Sequence, residues 1–226
     1  MKIDVLTIFP EIFFTPIEHS IIKRAIEFGK IELQIKNLRN YTKDKARNTD
    51  DYAFGGGPGM IMKVEPIFNA LKDIKTDESE VILLSPQGEK FDQKLAIELS
   101  AKKHIILICG RYKGVDERVR TYLIDREISI GDYITSGGEI PALVIIDSVS
   151  RLQPDVLSDF DSAKTDSFMS GKLDAPYYTR PRDFHGMTVP NILLSGNHKE
   201  IDVWRADKSL KKTTDNRPDL LNSKKG

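Results

Sequence analysis

The stretch Ile128 to Arg151, Ile-Ser-Ile-Gly-Asp-Tyr-Ile-Thr-Ser-Gly-Gly-Glu-Ile-Pro-Ala-Leu-Val-Ile-Ile-Asp-Ser-Val-Ser-Arg, holds residue types suited to gripping a flat ligand. Gly131, Gly137 and Gly138 have no side chain to hold backbone away from a planar group, and they tolerate positive φ. Pro141 falls in the first turn of the helix expected next, where a missing N–H costs little. The apolar run Ala142 to Ile146 predicts a helix buried on most sides, and Arg151 at its end carries a cation towards whatever the loop binds. Familiar alternatives are missing. There is no G-x-G-x-x-G after a strand and no G-x-x-x-x-G-K-[ST]. His19, His104, His185 and His198 lack metal-ligand spacing, and no G-x-S-x-G marks a serine hydrolase.

Such a loop needs a scaffold. Ile3 to Phe9 reads as a strand stopped by Pro10, followed by a helix over 17–28 with Ile21, Ile22, Ala25 and Ile26 on one stripe. Ile31 to Leu38 alternates as a half-buried strand. A basic, polar stretch then leads through Tyr52 to the glycine loop Phe54 to Met60. A helix is predicted from Val64 to Leu71, with an acidic turn from Asp73 to Glu80. Val81 to Leu84 is a buried strand ending in Ser85-Pro86-Gln87-Gly88, and the next helix carries Leu95 and Leu99. His104 to Ile108 is another buried strand, ending in Cys109-Gly110-Arg111-Tyr112-Lys113-Gly114. Asp116 is placed to cap a helix through Tyr122, and Leu123 to Ile130 forms the strand entering the opening loop. Strands alternating with helices predict an α/β domain on a parallel sheet. Ligands bind beyond the carboxyl ends of such strands, where the loops 85–88, 110–114 and 131–138 all fall.

Beyond Arg151 the composition changes. Residues 153–175 are rich in Asp, Ser and Gly without a sustained period and read as a linker or flap. Helical pattern returns from Asn191. Asn197 with Glu200 resembles a capping box, and Val203, Trp204 and Leu210 offer an apolar face. A short helix is expected to start at Arg217-Pro218-Asp219.

The 226 residues, 39% hydrophobic, suffice for an ordinary core, and zero formal net charge argues against a uniformly basic nucleic-acid binder. Local patches remain: residues 23–47 hold eight Lys/Arg against three acids, and residues 161–226 hold twelve against nine. The lone Cys109 permits no intrachain disulfide and reads as a small buried apolar residue. No segment is long and apolar enough to span a membrane, and the N-terminus is not a signal peptide, so a cytoplasmic location is expected.

Taken together and in order, Gly55-Gly-Gly-Pro-Gly-Met60, Leu84 to Gly88, Cys109 to Tyr112, Ile130 to Tyr133 with Ser136 to Glu139, and Asp166-Ser167-Phe168 with Tyr178-Thr179-Arg180-Pro181 resemble the bacterial tRNA (guanine-N1)-methyltransferases (TrmD family) of the SPOUT class. The similarity covers nearly the whole chain. A glycine triplet alone is an ordinary turn; seven matching pieces in sequence are specific.

That resemblance implies a parallel α/β domain over 1–154 tied in a C-terminal trefoil knot, an interdomain flap over 155–168, and a small all-α tRNA-binding domain over 169–226. It implies S-adenosylmethionine held by Leu84, Ser85, Pro86, Gly110, Tyr112, Ile130, Gly131, Asp132, Tyr133, Ile134, Thr135, Gly137 and Gly138. It implies a homodimer with sites at the subunit interface, acting on the tRNA anticodon stem-loop at N1 of the guanosine 3′-adjacent to the anticodon (guanosine-37). Asp166 matches the family's general base and Arg151 its cation; Gly57, Pro58, Gly59, Ser167, Asp174 and Arg180 match positions at the target base. Lys36 to Arg47, Lys199, Arg205, Lys208, Lys211 and Lys212 are candidates for phosphate contacts. Two departures stand out. Lys113 replaces a glutamate linked to the family's use of magnesium, and Tyr177 replaces a histidine. A SPOUT enzyme for another RNA, or an RNA-binding module without activity, are the alternatives; the matched 166–181 segment argues against the first, Arg151 with Asp166 against the second.

Overall fold

A computed structural model describes residues 1–157 and 165–222. The chain divides into two compact units, Met1–Ser158 and Asp159–Gly226. In chain order the first contains β1 (Lys2–Thr7), α1 (Phe14–Ile17), α2 (Ser20–Glu27), β2 (Glu32–Asn37), β3 (Asp50–Tyr52), β4 (Met60–Met62), α3 (Val64–Ile74), β5 (Ser79–Lys90), α4 (Gln93–Ser100), β6 (His104–Cys109), α5 (Glu117–Tyr122), β7 (Arg126–Ser129) and α6 (Glu139–Ser150).

Five of these strands make one sheet in the order β2-β1-β6-β5-β7, and every neighbouring pair is parallel. All six residues of β6 are buried, as a central strand covered on both faces requires. One apolar cluster joins Ile82, Ile105 and Leu107 to α2, α4 and α6 through Ala25, Leu99 and Ile145. The other joins Val81, Leu83, Ile106 and Ile108 to α3 and α5 through Ile67 and Val119. Alternate residues of the strands thus supply alternate faces. Cys109 is wholly buried, and burial, with Glu139 adding to it, pushes its thiol pKa well up. It is a packing residue. Asp116 caps α5 as expected, its Oδ1 accepting from Arg118 N at 2.9 Å.

Several expected boundaries move. β1 ends at Thr7, because Thr7 Oγ1 accepts from Phe9 N at 2.9 Å and turns the chain. The helix expected over 17–28 is split, with Ser20 in the left-handed region at φ 57° and α2 beginning there. Ile74 is buried, which extends α3 past Leu71 and takes Asp73 out of the acidic turn. β7 begins only at Arg126, since Asp125 turns the chain into the sheet by accepting from Val81 N and donating to Val81 O. The stretch before the glycine loop is not wholly irregular: β3 pairs antiparallel with β4, so residues 53–59 form a hairpin tip. Asp155 and Val156 pack on the first unit, through Lys30 Nζ to Asp155 at 2.7 Å and Arg24 Nη1 to Val156 O at 3.2 Å. Of the flap expected over 155–168, residues 158–164 lie outside the described residues.

The second unit is not all helix. A hairpin pairs Asp183–Phe184 with Met187–Thr188, ahead of helices His198–Asn216 and Asp219–Asn222. Asn197 Oδ1 caps the long helix by accepting from Glu200 N at 3.4 Å. Its buried face differs from the one expected. Ile201 and Thr213 are buried, whereas Val203 and Leu210 are 72% and 45% exposed. Hydroxyls set that face: Thr213 Oγ1 accepts from Leu173 N at 3.0 Å and Ser209 Oγ donates to Leu173 O at 2.6 Å.

Candidate functional site

Three loops meet at the carboxyl end of the sheet. Ile128 of β7 pairs with both Leu84 and Glu89, so Ser85 to Gly88 loop out of a strand that then resumes. The expected loop is there, but it interrupts β5 instead of ending it. Gly88 explains why only glycine serves: a β-carbon there would lie 2.4 Å from the Glu127 carbonyl carbon, against backbone that cannot yield. Ser85 Oγ donates to Glu127 Oε1 and accepts from Gln87 N at 3.0 Å. Arg120 Nε donates to the same carboxylate at 2.9 Å.

The second loop follows β6. Tyr112 takes φ 59°, and its hydroxyl hydrogen-bonds with Asp50 and Arg39; burial first, then Asp50, raises its pKa. Lys113 N donates to Met60 O at 3.1 Å and Met62 N to Gly114 O at 3.0 Å, which attaches the β3–β4 hairpin to this loop.

In the third loop Gly131 adopts φ 149°, and a β-carbon there would meet the Tyr133 ring at 2.5 Å. Thr135 Oγ1 donates to Gly137 O at 2.9 Å. Gly138 N donates to Gly110 O at 2.8 Å, and its α-carbon comes so near that a β-carbon would lie 2.6 Å from Cys109 Cα.

Glu139, the first residue of α6, ties these pieces to β1. It is 1% exposed and accepts from Thr7 Oγ1 at 2.7 Å and Arg111 Nε at 2.8 Å. Arg111 Nη1 also donates to Ser136 O at 3.3 Å, and its guanidinium stacks 4.5 Å from the Phe9 ring centroid. A buried carboxylate must be paired to be tolerated. Here the pairing fixes the second and third loops to each other.

The loops surround a cavity of about 370 Å³, within the ordinary range for a cofactor site. Of the predicted residues, Leu84, Ser85, Pro86, Gly110, Tyr112, Ile130, Gly131, Tyr133, Ile134, Thr135, Gly137 and Gly138 line it. Asp132 is exposed and does not. Gln87, Arg111, Arg120 and Ser136 line it without having been singled out, and so does Lys113, noted only as a departure from the family. Arg111 lay inside the quoted Gly-Arg-Tyr motif, and Glu139 inside Ser-Gly-Gly-Glu, but neighbours distant in sequence reveal their roles. Tyr133 and Ile134 are 58% and 81% exposed, an apolar wall suited to a planar ring system.

Among the described residues, the charged ones lining the cavity are Arg111, Lys113 and Arg120, with no carboxylate. Among the described residues no three His, Cys, Asp or Glu converge to hold a metal. The cationic side chains Arg111, Lys113 and Arg120 at its wall repel a divalent cation.

The remaining predicted positions fall on other elements of the chain. Gly57, Pro58 and Gly59 sit at the tip of the hairpin, with Gly59 against Lys113 Cγ. Arg151 is the C-cap of α6, its N–H donating to Asp147 O at 3.1 Å. Burial raises the Asp147 pKa and Arg151 lowers it. Asp166, Ser167, Asp174 and Arg180 belong to the second unit. There Asp166 O accepts from Met169 N at 3.2 Å, and Ser167 Oγ accepts from Asp174 N at 3.0 Å.

Comparison with known proteins bears on this arrangement. A family model described as tRNA (Guanine-1)-methyltransferase TrmD matches residues 1–223. A tRNA (guanine-N(1)-)-methyltransferase of Dictyoglomus turgidum is 59% identical over 221 residues, covering 98% of this chain and 90% of the relative. Proteins of the same name from Moorella thermoacetica and Staphylococcus aureus are 55% and 51% identical, again over 98% of this chain and 90% and 91% of theirs.

Proposed function

Because the chain belongs to the tRNA (guanine-1)-methyltransferase family, we propose that it methylates N1 of the guanosine directly 3′ of the tRNA anticodon, guanosine-37, with S-adenosylmethionine as donor. One observation carries the reading: twelve of the thirteen residues expected to hold the donor line one cavity. When bound there, the donor supplies an electrophilic sulfonium methyl. The chain's own residues provide the rest. Gly110, Gly137 and Gly138 bring backbone groups to the cavity wall, and Tyr133 and Ile134 give the adenine an apolar surface. Arg111, held by Glu139, keeps the second and third loops in register.

Guanine N1 carries a proton at neutral pH, so attack on the methyl requires a base and a stabiliser for the charge gathering on O6. Asp166 takes that proton, and Arg151 stabilises the developing charge. As the N1–carbon bond forms, the sulfur–carbon bond breaks, and the proton rests on Asp166. Gly57, Pro58, Gly59, Ser167, Asp174 and Arg180 position the target base. The basic residues of 36–47, with Lys199, Arg205, Lys208, Lys211 and Lys212, meet RNA phosphates, which makes affinity fall steeply with salt.

Two further features belong to this reading. A trefoil knot agrees with the backbone-on-backbone approaches at Gly88 and Gly138. A homodimer agrees with Phe14, Ile140 and Val144, which are 55%, 54% and 39% exposed, Ile140 and Val144 lying one turn apart on α6. A second copy is the proposed cover. The enzyme works where tRNA is, in the cytoplasm.

Labelled methyl transfer to tRNA transcripts tests the reading. Transfer is expected with guanosine at the target position and none with adenosine there; equal labelling of both, or of neither, overturns it.

A further inference from the structure

The second unit carries a cavity of its own, about 700 Å³. Its floor is apolar, with Val189, Leu193 and the buried Ile201. Tyr177 and Tyr178 form part of its wall while remaining 64% and 50% exposed. Arg180, Arg182, Arg205 and His198 complete the polar lining, and among the described residues no carboxylate lines the cavity. Burial first, then the neighbouring Asp174, raises the Tyr177 pKa. Arg205 faces Asp202 only at 3.8 Å in an exposed pair, a contact that solvent screens.

Surface arginines by themselves make a phosphate patch, and exposed tyrosines by themselves make an apolar one. Their convergence in one concave site selects a ligand that is planar at one end and anionic at the other. We propose that this cup binds one unpaired nucleotide of the RNA substrate, its base stacked on Tyr177 or Tyr178 and its phosphate against Arg182 and Arg205. The proposal rests on the reading that the substrate is RNA, and it names a contact beyond the methylated base. A paired base in a duplex has its faces covered by its neighbours, so the cup distinguishes loop from stem. Base–aromatic stacking tolerates any base, which lets one site serve many sequences.

The test uses the full chain with two fluorescent RNAs of equal length, an anticodon stem-loop and a duplex without a loop. Tyr177→Ala and Tyr178→Ala are expected to weaken stem-loop binding, the stacking residue by roughly 5- to 100-fold, with duplex binding unchanged. Replacement of that same tyrosine by Phe restores stem-loop affinity. Arg182→Ala lowers the salt slope of binding by about 0.7. Both alanine variants binding the stem-loop within twofold of the parent, or losing stem-loop and duplex alike, overturn the cup. A measurement on the unsubstituted chain stands beside these: 5-bromouridine in the loop is expected to photo-crosslink to the peptide containing Tyr177 and Tyr178, and crosslinks confined to other peptides also overturn it. A chain that binds the stem-loop through this peptide yet transfers no methyl would refute the methyltransferase reading and leave the cup standing.

Discussion

Gly137 lies against the Arg111 side chain so closely that a β-carbon on it would sit 2.2 Å from Arg111 Nε and 2.6 Å from Glu139 Oε2. The ion pair between the second and third loops occupies the space a side chain would need. Gly137→Ala must therefore push Arg111 off Glu139 or move the loop. Titration calorimetry with S-adenosylmethionine is expected to show donor affinity reduced at least about 10-fold, a cost of about 1.4 kcal/mol. Undiminished affinity would mean that the cavity does not depend on this packing.

Glu139 offers a sharper energetic test. Glu139→Ala leaves the Arg111 guanidinium, whose side chain is 18% exposed, and the buried Thr7 hydroxyl without their acceptor. Breaking a buried pair on one side costs roughly 3–5 kcal/mol, so urea unfolding is expected to shift by that order. Removing both charges, as in Glu139→Met with Arg111→Met, is expected to cost less than Glu139→Ala alone, because no charge is then stranded. A double substitution as damaging as the sum of its parts would show that the two residues do not act as a pair.

The sheet and its ligand end could be read from sequence because β5 and β6 are continuous apolar runs and glycine loops follow them. The hairpin could not. Asp50, Asp51 and Tyr52 are polar and mostly exposed, and three-residue strands carry no period. The resumption of β5 at Glu89 was equally hidden, since it depends on Gly88 passing Glu127 across a distance in sequence that no local pattern records. Thr7 and Glu139 stand 132 residues apart, so their bond is a product of topology. The long C-terminal helix misled for a different reason: its packing is set by Ser209 and Thr213 hydroxyls, and apolar pattern is silent about hydroxyls.

Alkaline stability should report Tyr41. Burial raises its pKa from 10.0 to about 12, helped by its bond to Asp73, which accepts from the phenol at 2.9 Å. In the unfolded chain the phenol titrates near its ordinary value. Between pH 10 and about 12 the folded state thus holds more protons than the unfolded state, and stability falls as pH rises through that window. Tyr41→Phe has no such proton, so its unfolding free energy is expected to be flatter there, as followed by urea melts at stepped pH. Identical alkaline slopes for the two chains would contradict this.

The division of labour between Asp166 and Arg151 can be separated by pH. If Asp166 takes the N1 proton, Asp166→Ala should slow single-turnover methyl transfer by about 10²- to 10⁴-fold, the usual worth of a placed base. Its rate should then climb with pH, since hydroxide can remove the same proton from guanine. Arg151→Ala has lost something alkali cannot supply, a positive charge beside O6 as the carbonyl gains electron density. Its rate is expected to fall without alkaline recovery. Binding of S-adenosylmethionine should be intact in Asp166→Ala, because the residues proposed to hold the donor all belong to the first unit. A flat pH–rate profile for Asp166→Ala, at any rate level, removes it as the base; recovery of Arg151→Ala at high pH would give that role to Arg151's neighbourhood instead.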